Sequence, residues 1–218
     1  GRTARGAWQQ VRYTLGHLRQ LPDLKRFLLC TVLYQAGIQA VITLAAIYAA
    51  QVFRFDTRQT IELVLVVNVT AALGAFFFGY VQDRIGHVRA IALTLAGWLV
   101  MVLIAWAAPD ERLFWVAANL AGLCMGASQS AGRAMVGLLA PLAHQAEFFG
   151  LWGLAVKAAS ILGPLTYGAA SWLTAGDHRR ALLLTGCYFV AGLALLAGIR
   201  ADRGRRAAHR FTAEAAHA

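Results

Sequence analysis

Polar side chains occur where an otherwise apolar chain has least reason to keep them. Thr31, Gln35, Gln39 and Thr43 follow one another in steps of four. Such steps drift by only about 40° around a helix, so the four share one broad face. Buried amides cost free energy unless they find partners. The stripe therefore predicts either a water-filled cavity or hydrogen bonds to neighbouring helices. Gln129 and Arg133 stand one turn apart further along. Arg133 either lines that cavity or extends its guanidinium toward the end of its apolar run. Lys157 sits near the middle of another apolar run, close to Ser160 and ahead of Gly163-Pro164. A cation at such a depth is expensive and marks a functional site by default; the bland reading is a structural pairing with another helix. No acid lies deep in any apolar run, since Glu62 and Glu147 fall near the ends. The missing negative charge points to an anionic or zwitterionic solute, or to protein outside this chain. Gly163-Pro164 frees a backbone carbonyl and permits a kink.

These residues need elements to hold them, and composition says which kind. Of 218 residues, 59% are hydrophobic and 14% charged. Soluble domains carry about 25% charge, so the expected class is an all-α integral membrane protein. Disordered chains are poor in apolar residues and are excluded. Three cysteines rule out a disulfide scaffold and read as small apolar fillers. A spanning helix needs about 20 mostly apolar residues. Six stretches qualify: 27–50, 61–81, 90–108, 113–139, 149–172 and 181–199. Short gaps between them predict antiparallel neighbours. The third and sixth carry little polarity beyond Thr94 and Thr185 and read as lipid-facing supports. In the fourth, Gly122, Gly126 and Ser130 recur every four residues and predict close helix approach.

The net charge of +10 has a distribution. With six spans both ends lie on one side, and thirteen Lys and Arg fall there against five opposite. The positive-inside rule puts both termini in the cytoplasm and accounts for the basic balance without nucleic acid. Residues 1–26 read as a linker: Trp8, Val11, Leu15 and Leu18 on one face and Arg5, Arg12 and Arg19 every seven residues suggest a surface amphipathic helix ending before Pro22. A solvated linker with accidental periodicity fits equally. Residues 200–218 are basic and Ala-rich and are expected to be disordered. Gly1 in place of Met suggests a fragment or processed chain.

Between the second and third spans the chain reads Gly79-Tyr-Val-Gln-Asp83-Arg84-Ile-Gly86-His-Val-Arg89. Gly79 and Asp83 share a helix face, Gly86 permits a tight reversal, and Arg84 and Arg89 hold the loop in the cytoplasm. The run resembles the G-x-x-x-D-R-x-G-x-x-R signature of the major facilitator superfamily, which lies between the second and third helices of each six-helix half. The resemblance covers nearly all of 27–199. It implies the C-terminal half of a twelve-helix transporter, with an N-terminal six-helix half elsewhere and polar first, fourth and fifth helices around a cavity. Leu33-Tyr-Gln-Ala-Gly37, Gln129-Ser-Ala-Gly-Arg133 and Ala146-Glu-Phe-Phe-Gly150 are similar to bacterial relatives of the vacuolar amino-acid effluxer of autophagy. That family usually has an acid where this chain has Ala36, a departure that leaves no carboxyl at this position to couple transport to protons.

The resemblance implies secondary active transport, as efflux of a small polar solute such as an amino acid across a bacterial inner membrane, by rocking about a midplane site. Gln35, Gln39, Gln129, Arg133 and Lys157 are the expected solute contacts. Gly79, Asp83, Arg84, Gly86, Arg89, Glu147, Gly163 and Pro164 are the expected gating positions, with Arg133, Asp83 and Glu147 as a possible cytoplasmic latch. Expected partners are the solute, lipid and the missing half; no cofactor is expected. An alternative is a self-sufficient six-helix bundle, as a homodimeric transporter or scaffold. Gly126-Ala127-Ser128 resembles the serine site of a rhomboid-type protease, but that chemistry needs a histidine base, and all six histidines fall in loops or tails. No enzyme is expected.

Overall fold

In the computed structural model, residue 16 and residues 18–216 are described, and their regular structure is helical. Seven α-helices follow in order: α1 Pro22–Val52, α2 Thr57–Ile85, α3 His87–Ala107, α4 Glu111–Leu139, α5 Gln145–Leu173, α6 His178–Ala197 and α7 Ala201–Ala216. Short 3₁₀ turns occupy Leu18–Gln20 and Leu142–His144. The long helices extend two to five residues before the expected apolar stretches, because polar caps and first turns belong to the helix though not to its greasy run. The amphipathic lead-in expected over 1–26 lies largely outside the described residues. Its last five residues are the first turn of α1, with Pro22 at the helix start, where the missing N–H is no loss.

Helix starts differ between the two ends of the bundle. At one end α2, α4 and α6 each begin with an aspartate. Asp56 forms a reciprocal capping box with Gln59, Asp110 accepts the Leu113 N–H, and Asp177 accepts those of Arg179 and Arg180. Each satisfies donors that a helix start otherwise leaves orphaned. At the other end α2 reverses into α3 through Gly86, whose φ of 84° suits glycine.

Helices exchange partners between the first and second triplets. α4 packs most extensively on α2 and α3, and α1 on α5 and α6, so the leading helix of each triplet rests on the last two of the other. The groups join mainly through α3 and α6, while α1 meets α4 only lightly. Close crossings rest on small residues. A Cβ on Gly126 would lie 1.8 Å from the Ala71 carbonyl oxygen and one on Gly74 2.2 Å from that of Leu123. The expected packing role of Gly122 and Gly126 holds: a Cβ on Gly122 would lie 1.9 Å from Thr70 Oγ1.

The chain is an all-α membrane protein. Five helices (α1, α2, α3, α5 and α6) are long and apolar enough to cross a bilayer. α4 is as long, but Asn119, Ser128, Gln129, Ser130 and Arg133 lower its apolarity, so this measure gives five spans rather than six. Burial within the chain differs among these helices. In its apolar stretch α2 is 17% buried and α5 28%, against 44% for α3 and 39% for α6. Low polarity does not distinguish a face toward lipid from one toward a neighbouring helix, because both are apolar.

The C-terminal segment also departs from expectation. Residues 201–216 form α7 instead of a disordered tail. Three residues separate it from α6, and it lies against α1, α4 and the turn before α5. Arg203 grips the buried Asp23 with two 2.7 Å hydrogen bonds. The Arg200 backbone N–H donates to the same carboxylate at 3.1 Å, and Arg26 donates to the Gly198 carbonyl. Both ends of the six-helix run therefore meet on one face.

Candidate functional site

The stripe on α1 turns from core to surface. Thr31 and Gln35 are fully buried, Gln39 is half-buried and Thr43 is exposed. The 40° drift per step carries it across the helix. At its buried end stand polar atoms without partners: Thr31 Oγ1, Tyr34 Oη, and both Oε1 and Nε2 of Gln35. Trp152 Nε1, from α5, is in the same condition. Thr31, Gln35 and Trp152 are all polar neighbours of the Tyr34 hydroxyl. Gly132 of α4 completes the enclosure, since a Cβ there would lie 2.8 Å from Tyr34 Oη and 3.9 Å from Trp152 Nε1. Three helices thus converge on one polar node where α4 meets α1 and α5.

Arg133 lies exposed beside this node, its guanidinium carbon 5.8 Å from the centre of the Trp152 ring. That is cation–π distance. It does not approach Asp83, which is exposed and forms no ion pair among the described residues. The Arg133–Asp83 ion pair is not formed among the described residues, and Arg133 lies over the Trp152 ring instead. Glu147 instead faces His144 at 3.4 Å. Gln129, one turn from Arg133, is half-buried.

Lys157 is exposed on α5, with no ion pair among the described residues. Its carbonyl accepts the Ser160 hydroxyl at 2.8 Å. Gly163 supplies the close crossing of α5 with α1, since a Cβ there would sit 2.4 Å from the Ala36 carbonyl oxygen and 2.8 Å from the Ala40 nitrogen. Pro164 stands inside the helix directly after this crossing. On the signature loop Arg84, Gly86 and Arg89 are exposed. Gly79 was expected to admit a neighbouring helix, and no described atom lies within 4 Å of its Cβ position.

A pocket of about 330 Å³ opens between α1, α2, α3 and α4, lined by Val41, Tyr48, Val67, Trp98, Phe114 and Met125 among others. It is almost wholly apolar, and the amide of its Asn68 is committed to the Val64 carbonyl. None of Gln35, Gln39, Gln129, Arg133 and Lys157 lines it. Ser128 also has a structural explanation: it accepts the Trp98 indole N–H at 3.1 Å and donates to the Cys124 carbonyl at 2.6 Å. Tyr34 and Trp152 are not among the solute contacts expected from the sequence. Tyr34 could have been flagged, since it lies three residues after Thr31 and beside Gln35 on the same face.

Such an exchange of leading helices, with polar residues at the seam, defines a helical membrane bundle of two interlocked triplets. Comparison with known proteins narrows this. The family model described as "Vacuole effluxer Atg22 like" matches residues 3–209, and the chain belongs to that family. Among its relatives, the uncharacterized MFS-type transporter YxiO of Bacillus subtilis is 26% identical over 88% of this chain and 44% of its own length. Autophagy-related protein 22 of Cryptococcus neoformans is 28% identical over 93% of this chain and 38% of its own length. That of Kluyveromyces lactis is 23% identical over 94% and 44%. The chain spans less than half the length of these relatives.

Proposed function

We propose that this chain is one six-helix half of a membrane transporter that works by alternating access, with efflux of a small anionic or zwitterionic solute, such as an amino acid, as its task. Family membership over residues 3–209 carries the reading, together with relatives named as a transporter and as vacuole effluxers. The shares of those relatives covered leave room for a second half of similar size. The sparsely buried faces of α2 and α5 supply surface for it to cover.

On this reading α4 is the sixth span, and Gln35, Gln39, Gln129, Arg133 and Lys157 face the path between the halves. Arg133 and Lys157, cations without carboxylate partners among the described residues, attract the negative end of the solute. Gly163 and Pro164 let α5 bend against α1. Asp83, Arg84, Gly86 and Arg89 form a cytoplasmic reversal that meets the other half, with Gly79 as the contact left open for it. Glu147 completes the latch in another conformation. On this reading the protein sits in a bacterial inner membrane, and the charge bias supports cytoplasmic termini. Ala36 leaves no acid at that position on α1, so this chain offers no proton carrier there.

The test is solute counterflow in proteoliposomes made with the full reading frame. Uptake of labelled amino acids that collapses in Lys157→Ala, while the protein stays folded, supports the proposal. The absence of any solute-dependent flux across an amino-acid and organic-acid panel would reject it.

A further inference from the structure

We infer that Thr31, Tyr34, Gln35 and Trp152 form an occluded subsite for an anionic acceptor group of carboxylate type, with the Trp152 indole as its door. The inference rests on the transport reading above and names residues and a chemistry for its site. Five buried polar atoms on four side chains lack hydrogen-bond partners in one place. Native proteins rarely leave a single such atom unexplained, and each costs desolvation free energy. Thr31, Gln35 and Trp152 all lie near the Tyr34 hydroxyl, yet none of these pairs reaches the distance and angle of a formed hydrogen bond.

The chemistry of the cluster is one-sided. Two hydroxyls, an amide NH₂ and an indole N–H can all donate, and the only obligate acceptor is Gln35 Oε1. No carboxylate is among them, so the cluster itself holds no fixed negative charge. A group that only accepts, and carries negative charge, uses these donors best. Arg133 supplies the positive charge, on the exposed face of the same indole whose N–H is turned inward. Trp152 therefore stands between a surface cation and a buried set of donors. Rotation of the indole joins them into one site. Opening is easiest on the side of α4, which carries Arg133 and Gly132 and meets α1 and α5 only lightly, whereas α1 and α5 pack closely on each other. Gly132 keeps the floor open, since any side chain would collide with Tyr34 Oη.

The test uses the purified protein of the full reading frame in detergent, with sodium acetate as the probe and sodium chloride and methylammonium chloride at equal ionic strength as controls. Thermal unfolding and tryptophan fluorescence are read for wild type, Tyr34→Phe, Gln35→Met and Trp152→Phe. Acetate, and neither control, should raise the wild-type melting temperature and change its fluorescence. Tyr34→Phe and Gln35→Met should weaken the apparent acetate affinity about ten- to a hundredfold, the range expected for loss of a charge-assisted hydrogen bond. Without acetate both variants should melt at or above the wild-type temperature, because an unpartnered polar atom has been removed from the interior. Trp152→Phe should abolish the fluorescence response while retaining a thermal one. Lower melting temperatures in Tyr34→Phe and Gln35→Met would reveal ordinary structural hydrogen bonding and overturn the inference. So would an acetate response unchanged in them, or a response equal to that for chloride. Acetate binding without solute counterflow would sink the transport reading alone, and counterflow with unaltered variants would sink the subsite alone.

Discussion

Arg203 holds Asp23 across 180 residues of sequence, with its Nε and Nη2 each 2.7 Å from a carboxylate oxygen. The carboxylate is 1% exposed and also accepts the Arg200 backbone N–H. A bidentate Arg–carboxylate pair fixes orientation as well as distance. This clasp makes an ordered helix of a basic, Ala-rich segment, because α7 has a partner for its inner side: Gly204 lies over Leu139 and Asp23, and Ala208 is buried.

Breaking the clasp should free α7 before it unfolds the bundle. Arg203→Ala leaves Asp23 buried without its cation, which is the costly way to lose a buried pair. Limited proteolysis should then cut within 201–216 markedly faster than in wild type, with the long helices protected. Asp23→Asn should show a smaller effect, and equal cleavage rates in all three proteins would show that apolar contacts alone hold α7.

Gly126 and Gly79 should respond oppositely to alanine. At Gly126 the new methyl meets the Ala71 carbonyl oxygen at 1.8 Å, so α2 and α4 must separate, at a cost of about 3 kcal/mol or more. At Gly79 the space is open, and a helical alanine should stabilise by up to about 1 kcal/mol. Equilibrium unfolding in mixed micelles measures both. In the full reading frame Gly79→Ala should nevertheless impair transport if that surface meets the second half.

Ser128→Ala should destabilise by about 1–3 kcal/mol, because the buried Trp98 indole N–H loses its acceptor. Unfolding monitored by tryptophan fluorescence reports it. No peptidase activity should be gained or lost, and a cleavage activity that vanished with Ser128 would contradict the structural role.

Asp83→Asn should slow solute turnover while leaving solute affinity near wild type, since Asp83 is exposed and is assigned to a conformational contact. Counterflow rates and binding isotherms on the same preparation separate the two quantities. An unchanged rate would remove Asp83 from the gating set.

Ala175 has a φ of 52° in the turn between α5 and α6, in the left-handed region that costs a residue with Cβ about 1 kcal/mol. Ala175→Gly should therefore raise stability by up to about that amount, offset in part by the greater entropy of glycine in the unfolded chain. The melting temperature decides the sign.

Several features followed from sequence alone because their causes are local or set by the solvent. Apolar runs of spanning length require lipid and fix where helices lie. Gly86 marked the reversal between α2 and α3, and the spacing of Gly122 and Gly126 marked a close crossing, each by a property of one helix or turn. Tertiary structure decided what depends on distant partners. Which helix covers which face cannot be read from polarity when lipid and neighbouring helices are both apolar, and so α3 and α6 lie better buried than α2 and α5. The order in α7 required Asp23, at the opposite end of the chain. The polar stripe on α1 was legible as a stripe, but which end of it is buried depended on where α5 and α6 pack against α1. Tyr34 and Trp152 joined the candidate site only when three helices brought their polar ends together beside Gly132, since an aromatic residue's hydrogen-bonding tip has no signature in sequence.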